Sequence, residues 1–249
     1  MRRRLIAGNW KMNGQRAEGR ALAQAVVDRA KNVPSDRDLL VCPPATLLGE
    51  IAAIIAVGRV ALGAQDCAIE ERGAFTGEVS AEMIADLGCS FVIVGHSERR
   101  QFQGETDAIV AKKTVRAQAA GLNAIVCVGE TAEQRDNGKA LDVVGGQLAV
   151  SLSHDCDPKA LVVAYEPVWA IGSGETAKPD DIEEIHRQIV SEVRSFEKEN
   201  FLGVFYGGSV DSSSSRQILS LKGVQGLLIG GASLECEEFC NIVLNNNRN

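Results

Sequence analysis

Eight short apolar segments recur along the whole chain, and each is nearly continuous rather than alternating with polar residues. Such continuity is typical of parallel strands that are buried on both faces. The segments are residues 5–7, 39–41, 60–62, 91–94, 124–128, 161–165, 203–206 and 227–229. Helical patterns lie between them, so the chain predicts a succession of parallel β/α units.

Eight such units in 249 residues fit a closed barrel, which typically needs about 250 residues. A helical stripe of apolar side chains runs from Leu22 to Val33, Thr131 and Gln134 form a capping-box pattern, and Pro179 starts a later helix. No linker or low-complexity segment divides the chain. We therefore predict a single α/β domain, a (β/α)8 TIM barrel over residues 1–249, although an open doubly wound sheet would satisfy the same alternation.

Charge and cysteine usage exclude several classes of protein. The net charge is −7 and no basic stripe is present, which argues against a nucleic-acid partner. Seven scattered cysteines without a CxxC pair indicate reduced thiols, so we expect a cytoplasmic protein. The apolar run at residues 5–7 is too short for a secretory signal, and we expect no membrane partner.

Polar side chains follow several of the predicted strands, where the functional residues of a (β/α)8 barrel gather. These strand-end residues are Asn9, Lys11, His96, Ser97, Glu98 and Glu166. Desolvation would raise the pKa of Glu166 and suit it to general-base work, and a helix that Ser97 caps would keep His96 neutral. Taken singly, each residue also fits a bland role: a solvated Glu, a structural His or a surface Lys.

Two Gly-Gly pairs, at 207–208 and 230–231, follow the last two strands, and each precedes a serine that could open a helix. Backbone N–H groups at such pairs predict a phosphate cradle, although tight left-handed turns without a ligand are the alternative.

Residues 167–177 combine a stiff Pro-Val-Trp entry with a Gly-Ser-Gly tip, which favours a closing lid over a merely mobile loop. The three histidines lack metal-ligand spacing and no nucleotide-binding motif is present, so we expect neither metal nor cofactor.

Five segments of the chain together resemble the triosephosphate isomerase family, from the first predicted strand to the last helix. They are residues 7–13, 95–100, 164–172, 206–209 and 230–234, and the run Tyr-Glu-Pro-Val-Trp-Ala-Ile-Gly is the most specific of them. The resemblance implies interconversion of dihydroxyacetone phosphate and D-glyceraldehyde 3-phosphate through an enediolate, in glycolysis and gluconeogenesis. It also implies that Glu166 is the base, that neutral His96 polarises the carbonyl, and that Lys11 and Asn9 give electrostatic support.

The same resemblance assigns the remaining site residues. Backbone N–H groups of four residues would hold the phosphate: Gly172, Ser209, Gly230 and Gly231. Tyr206 and Ser209 would latch the lid, and Glu98, with Ser97, would belong to the polar network around His96. Residues 65–79 resemble a loop that enters a partner subunit, so the resemblance implies a homodimer.

Four positions depart from the family pattern. Glu175 reverses the usual charge near the end of the lid, and Asp66 stands where Asn is usual. Val190 and Gln225 replace a usual Arg and Asp, and we hypothesise that these two positions contact each other.

Two other functions remain open: a phosphate-binding barrel isomerase of tryptophan or histidine biosynthesis, and a catalytically dead barrel kept as a scaffold. The joint presence of all the motifs disfavours the first, and retention of Lys11, His96 and Glu166 disfavours the second.

Overall fold

A computed structural model describes residues 3–56, 58–172, 176–196 and 201–244, apart from the side chains of residues 195 and 196. Its eight parallel strands close into one barrel in chain order, because β1 pairs with both β2 and β8. The strands are β1 Arg4–Asn9, β2 Arg37–Cys42, β3 Val60–Ala64, β4 Phe91–Val94, β5 Asn123–Val128, β6 Leu161–Tyr165, β7 Gly203–Tyr206 and β8 Gly226–Ile229. Every predicted apolar segment lies inside a strand, and the alternative of an open sheet is wrong.

Ten α-helices are present in the described part of the chain. They are α1 Arg16–Ala30, α2 Leu48–Ile55, α3 Ala81–Asp86, α4 Ser97–Gln103, α5 Asp107–Ala119, α6 Ala132–Asp136, α7 Ala140–Ser151, α8 Pro179–Phe196, α9 Ser215–Ser220 and α10 Cys236–Leu244. The predicted stripe of the first helix extends too far, because Val33 lies beyond α1, although it is buried. Pro34 follows Val33, and a residue before proline is disfavoured in helical conformation.

Local capping explains where two helices begin. As predicted, Thr131 and Gln134 form a capping box at α6, in which the Thr131 N–H donates to Gln134 Oε1 at 2.9 Å and the Gln134 N–H donates to Thr131 Oγ1 at 3.3 Å. The prediction that Ser97 caps α4 is wrong. His96 is the N-cap, because its Nδ1 accepts the N–H of Glu98 at 3.2 Å, and Ser97 is the first helical residue.

The hydrophobic core has two parts. One apolar cluster packs between the strands and the helices, and a smaller cluster fills the barrel interior. Phe205 can occupy the interior because its neighbour is Gly226, where a Cβ atom would lie 2.6 Å from the Phe205 ring. The interior is therefore packed, and ligand sites must form at the two rims.

Two further observations bear on the expectations from composition. All seven cysteines are free thiols, and five of them are buried, which fits their interpretation as small apolar side chains. Among the described residues, none of the helices combines the length and apolar character needed to cross a membrane.

Candidate active site

A cavity of about 220 Å³ opens at the C-terminal rim of the barrel. It brings together nearly all the side chains and glycines that the sequence predicts for the site. Its lining includes Asn9, Lys11, His96, Glu166, Gly172, Ser209, Gly230 and Gly231. These residues come from the ends of β1, β4, β6, β7 and β8, so closure of the barrel assembles the site from distant parts of the chain.

Glu166 and His96 form the polar centre of this cavity. Glu166 is only 2% exposed, and its Oε1 lies 3.0 Å from Nε2 of His96. The other oxygen of Glu166 accepts the backbone N–H of Ser97 at 2.9 Å. Because Nδ1 of His96 accepts the N–H of Glu98, the imidazole carries its proton on Nε2 and donates it to Glu166.

The two groups shift each other's pKa. Burial raises the pKa of Glu166, but the imidazole of His96 and the N–H of Ser97 lower it by more, so the net pKa lies below its usual value. Burial lowers the pKa of His96, but the Glu166 carboxylate raises it by more. The expectation of a raised pKa for Glu166 is therefore wrong in this arrangement, because the carboxylate is hydrogen-bonded rather than merely desolvated. The N–H of Glu98 donates to Nδ1, which must be unprotonated to accept it. This contact favours the neutral imidazole and opposes the rise in the pKa of His96.

Lys11 reaches into the cavity from a strained backbone. Its φ is +53°, a left-handed conformation that is uncommon for a residue other than glycine. The Lys11 N–H donates to Oδ1 of Asn9 at 3.0 Å, and the Lys11 carbonyl accepts from Gln65 at 2.8 Å. Its ammonium pairs with Glu98 at 2.5 Å. These contacts fix the position of the Lys11 ammonium in the cavity that Glu166 also lines.

The Gly-Gly pairs are explained by close approach of side chains, not by left-handed turns. Neither pair is in the positive-φ region. A Cβ atom on Gly207 would lie 3.0 Å from Cγ of Glu166, one on Gly208 2.3 Å from the Tyr206 hydroxyl, and one on Gly230 3.1 Å from Cε of Lys11. At these three positions a larger residue would press on a side chain of the site, whereas a Cβ atom on Gly231 would meet nothing within 4 Å.

The serines after the two pairs differ in their surroundings. The expectation that each serine opens a helix is wrong. Ser233 is the third residue of a short 3-10 turn, Gly231–Leu234, whose N-cap is Gly230, and α9 begins only at Ser215, well after Ser209. Ser209 instead donates its hydroxyl to the carbonyl of Ala170 at 2.5 Å.

The ends of the predicted lid are tied to β7 and its following loop. The hydroxyl of Tyr206 accepts the N–H of Ala177 at 3.3 Å, while Ser209 contacts Ala170 at the other end. Gly172 begins the tip with a φ of +69° and lines the cavity. Residues 173–175, including the charge reversal at Glu175, lie outside the described part of the chain.

Sequence reasoning missed Glu130, which organises the entry to the lid. One oxygen of Glu130 accepts from Nε1 of Trp169 at 2.9 Å, from Nε of Arg135 at 2.7 Å and from the Tyr165 hydroxyl at 3.2 Å. Glu130 follows the end of β5, so the strand-end rule that found Glu166 would also have found it. The sequence places Gln65 only in the partner loop, whereas its amide also donates to the carbonyl of Lys11.

In the described part of the chain, no three His, Cys, Asp or Glu side chains are arranged to hold a metal ion.

Comparison with known proteins gives one consistent result. The family model for triosephosphate isomerase matches residues 4–246. The triosephosphate isomerase of Bradyrhizobium sp. (strain ORS 278) is 50% identical over 244 residues, and that of Afipia carboxidovorans is 52% identical over 242, each match covering 96% of both chains. The crystal structure of triosephosphate isomerase from Bartonella henselae superposes with a TM-score of 0.88 at 39% identity and covers 96% of this chain and 97% of that one. The chain belongs to the triosephosphate isomerase family.

Proposed function

We propose that the chain interconverts dihydroxyacetone phosphate and D-glyceraldehyde 3-phosphate through an enediolate, as one catalytic domain acting in glycolysis and gluconeogenesis. The observation that carries this proposal is the pairing of Glu166 with His96 beside Lys11 in a cavity of about 220 Å³. A base, a hydrogen-bond donor and a fixed cation in one small cavity suit proton transfer next to a carbonyl. The family relationship supports the choice of substrate.

Glu166 removes the proton from the carbon beside the carbonyl, and the electron pair left behind forms the enediolate. The Nε2–H of His96 donates to the oxygen on which negative charge develops, and Lys11 stabilises that charge. His96 also moves one proton between the two oxygens: its Nε2–H protonates the former carbonyl oxygen, and Nε2 then takes the proton of the neighbouring hydroxyl. Return of the proton from Glu166 to the neighbouring carbon then completes the isomerisation, so the reaction consumes no co-reactant. Glu166 must exchange its present hydrogen bonds, to His96 and to the N–H of Ser97, for contact with the substrate.

The phosphate would bind to backbone N–H groups of Gly172, Ser209, Gly230 and Gly231, all of which line the cavity. The hydroxyls of Tyr206 and Ser209 already contact the two ends of the lid and would act as its latch. A closed lid excludes water, which strengthens the electrostatic contacts and keeps the enediolate from losing phosphate.

We further propose that the protein is a cytoplasmic homodimer. Met12 is 96% exposed and Phe102 69% exposed, and both line a second cavity of about 590 Å³ that reaches Lys11. This exposed apolar rim lies directly beside the catalytic lysine and is suited to bind the loop at residues 65–79 of a second copy. Sedimentation at micromolar concentration should give a dimer, and a fully active monomer would contradict the proposal.

A coupled assay tests the proposed reaction. Purified protein should convert glyceraldehyde 3-phosphate to dihydroxyacetone phosphate, and the rate should be the same with and without a chelator. A phosphate-binding barrel isomerase of another pathway, or a catalytically dead barrel, would give no turnover of this substrate. A rate that the chelator abolishes and a divalent metal restores would refute the metal-independent mechanism.

A further inference from the structure

A second cavity, of about 690 Å³, opens at the N-terminal rim of the barrel, opposite the active site. It lies where the strands begin, and Arg3, Arg59, Phe91 and Lys159 are among the residues that line it. Its volume falls within the roughly 300–1,000 Å³ of small-molecule sites. None of its lining residues has a role in the proposed isomerisation.

The floor of this N-terminal cavity is apolar. Leu5, Ala61, Phe91 and Leu202 pack against the cluster that fills the barrel interior, and all four remain partly exposed. Phe205, which is buried, closes the base of the cavity from inside. Two aromatic rings and several aliphatic side chains thus provide a surface on which a flat apolar body can lie.

The rim of the same cavity is positively charged, although the protein as a whole has a net charge of −7. Arg3 pairs with Asp38 at 3.1 Å, and among the described residues no carboxylate pairs with Arg59 or Lys159. Arg59 donates to the carbonyl of Val33 at 2.8 Å, and a carbonyl orients a guanidinium without neutralising it. Within the described ranges, no side chain engages the ammonium of Lys159. Because both cations line the same cavity, their charge favours a negatively charged ligand there.

We propose that the N-terminal cavity is a binding site for a small aromatic organic acid. The ring lies on the floor formed by Leu5, Phe91 and Leu202, and the anionic head faces Arg59 and Lys159. Because the packed barrel interior separates this site from the catalytic cavity, its ligand binds without competing with the triose phosphate.

Ligand-observed NMR and calorimetric titration with 2-naphthoate test the proposal, with the neutral 2-naphthamide as the matched ligand. The naphthoate should bind once per chain and more tightly than the amide. Lys159→Glu should weaken naphthoate binding about fivefold or more, the factor that corresponds to about 1 kcal/mol. Lys139→Glu, which makes the same charge change at an exposed position outside the cavity, should leave binding unchanged.

A second variant tests the apolar floor. Ala61→Leu should fill part of the cavity and abolish naphthoate binding, while isomerase activity reports whether the variant is folded. If Ala61→Leu does not fold, the comparison of Lys159→Glu with Lys139→Glu still decides. Equal affinity for naphthoate and naphthamide, equal binding by the two lysine variants, or no binding at millimolar naphthoate would overturn the proposal.

Discussion

Nε2 of His96 lies 3.0 Å from Oε1 of Glu166, so the proposed hydrogen-bond donor and the proposed base share a hydrogen bond across the cavity. This contact lowers the pKa of Glu166 and raises that of His96, against the effect of burial on each. A substrate that draws Glu166 away removes the main cause of the raised pKa of His96. The N–H of Glu98 at Nδ1 then favours a neutral imidazole, which is the form that the mechanism requires.

Gly230→Ala tests the contact between the cradle and Lys11. The added methyl group would lie 3.1 Å from Cε of Lys11, so the Lys11 side chain should shift by a few tenths of an ångström. Misplacement of a catalytic group by about 1 Å can cost about 100-fold, so for this smaller shift we expect a fall in kcat/KM of roughly 3- to 10-fold. Gly146→Ala is the matched control, because a Cβ atom there meets nothing within 4 Å. Equal kinetics for the two variants would show that Gly230 does not position Lys11.

His186 should make the stability of the protein depend on pH. The ring is buried on α8, its Nδ1 lies 3.2 Å from the carbonyl of Gly223, and burial lowers its pKa from 6.5 to about 4. Between these two values the unfolded state binds one proton more, so stability is complete above pH 6.5 and falls as the pH drops toward 4. The loss at pH 4 is roughly 3 kcal/mol from this residue.

Denaturant melts of the wild type and His186→Gln, from pH 4.5 to 8, measure this contribution. Gln cannot titrate but can still donate to the Gly223 carbonyl. The wild type should lose more stability on acidification than the variant, and parallel pH profiles would mean that His186 does not titrate as its burial requires. Protein concentrations should keep any oligomer assembled throughout.

The continuous apolar runs are sufficient to predict the eight strands, because strands buried on both faces need continuous apolar sequence. The same runs do not decide between a closed barrel and an open sheet, which the pairing of β1 with β8 settles. The strand-end rule likewise located Glu166, His96 and Lys11 on one rim. Side-chain geometry is what the sequence does not predict. Composition does not reveal that both oxygens of Glu166 are hydrogen-bonded, and it does not reveal that His96 rather than Ser97 caps α4.

Contact between Val190 and Gln225 remains a hypothesis. Val190 is partly buried against the core, and Oε1 of Gln225 accepts the N–H of Val204 at 2.6 Å. If the two positions touch, Val190→Arg alone and Gln225→Asp alone should each destabilise the protein, because each buries an unpaired charge. The double variant should recover much of the loss.

Denaturant melts of the wild type, both single variants and the double variant measure the coupling. We expect an interaction energy of roughly 0.5–3 kcal/mol. Because an aspartate side chain is one methylene shorter than glutamine, Gln225→Asn serves as the uncharged control for the hydrogen bond from the Val204 N–H. Strictly additive losses would show that the two side chains do not meet.

Glu166→Gln tests whether Glu166 is the base, when wild type and variant convert dihydroxyacetone phosphate in deuterated water. The amide keeps the shape of the carboxylate but cannot take a proton, so the loss should fall on the transition state. We expect deuterium at the carbon-bound position of the wild-type product, and a kcat for the variant that is lower by about 10²–10⁴-fold with little change in KM. A variant with near-wild-type kcat would contradict that role.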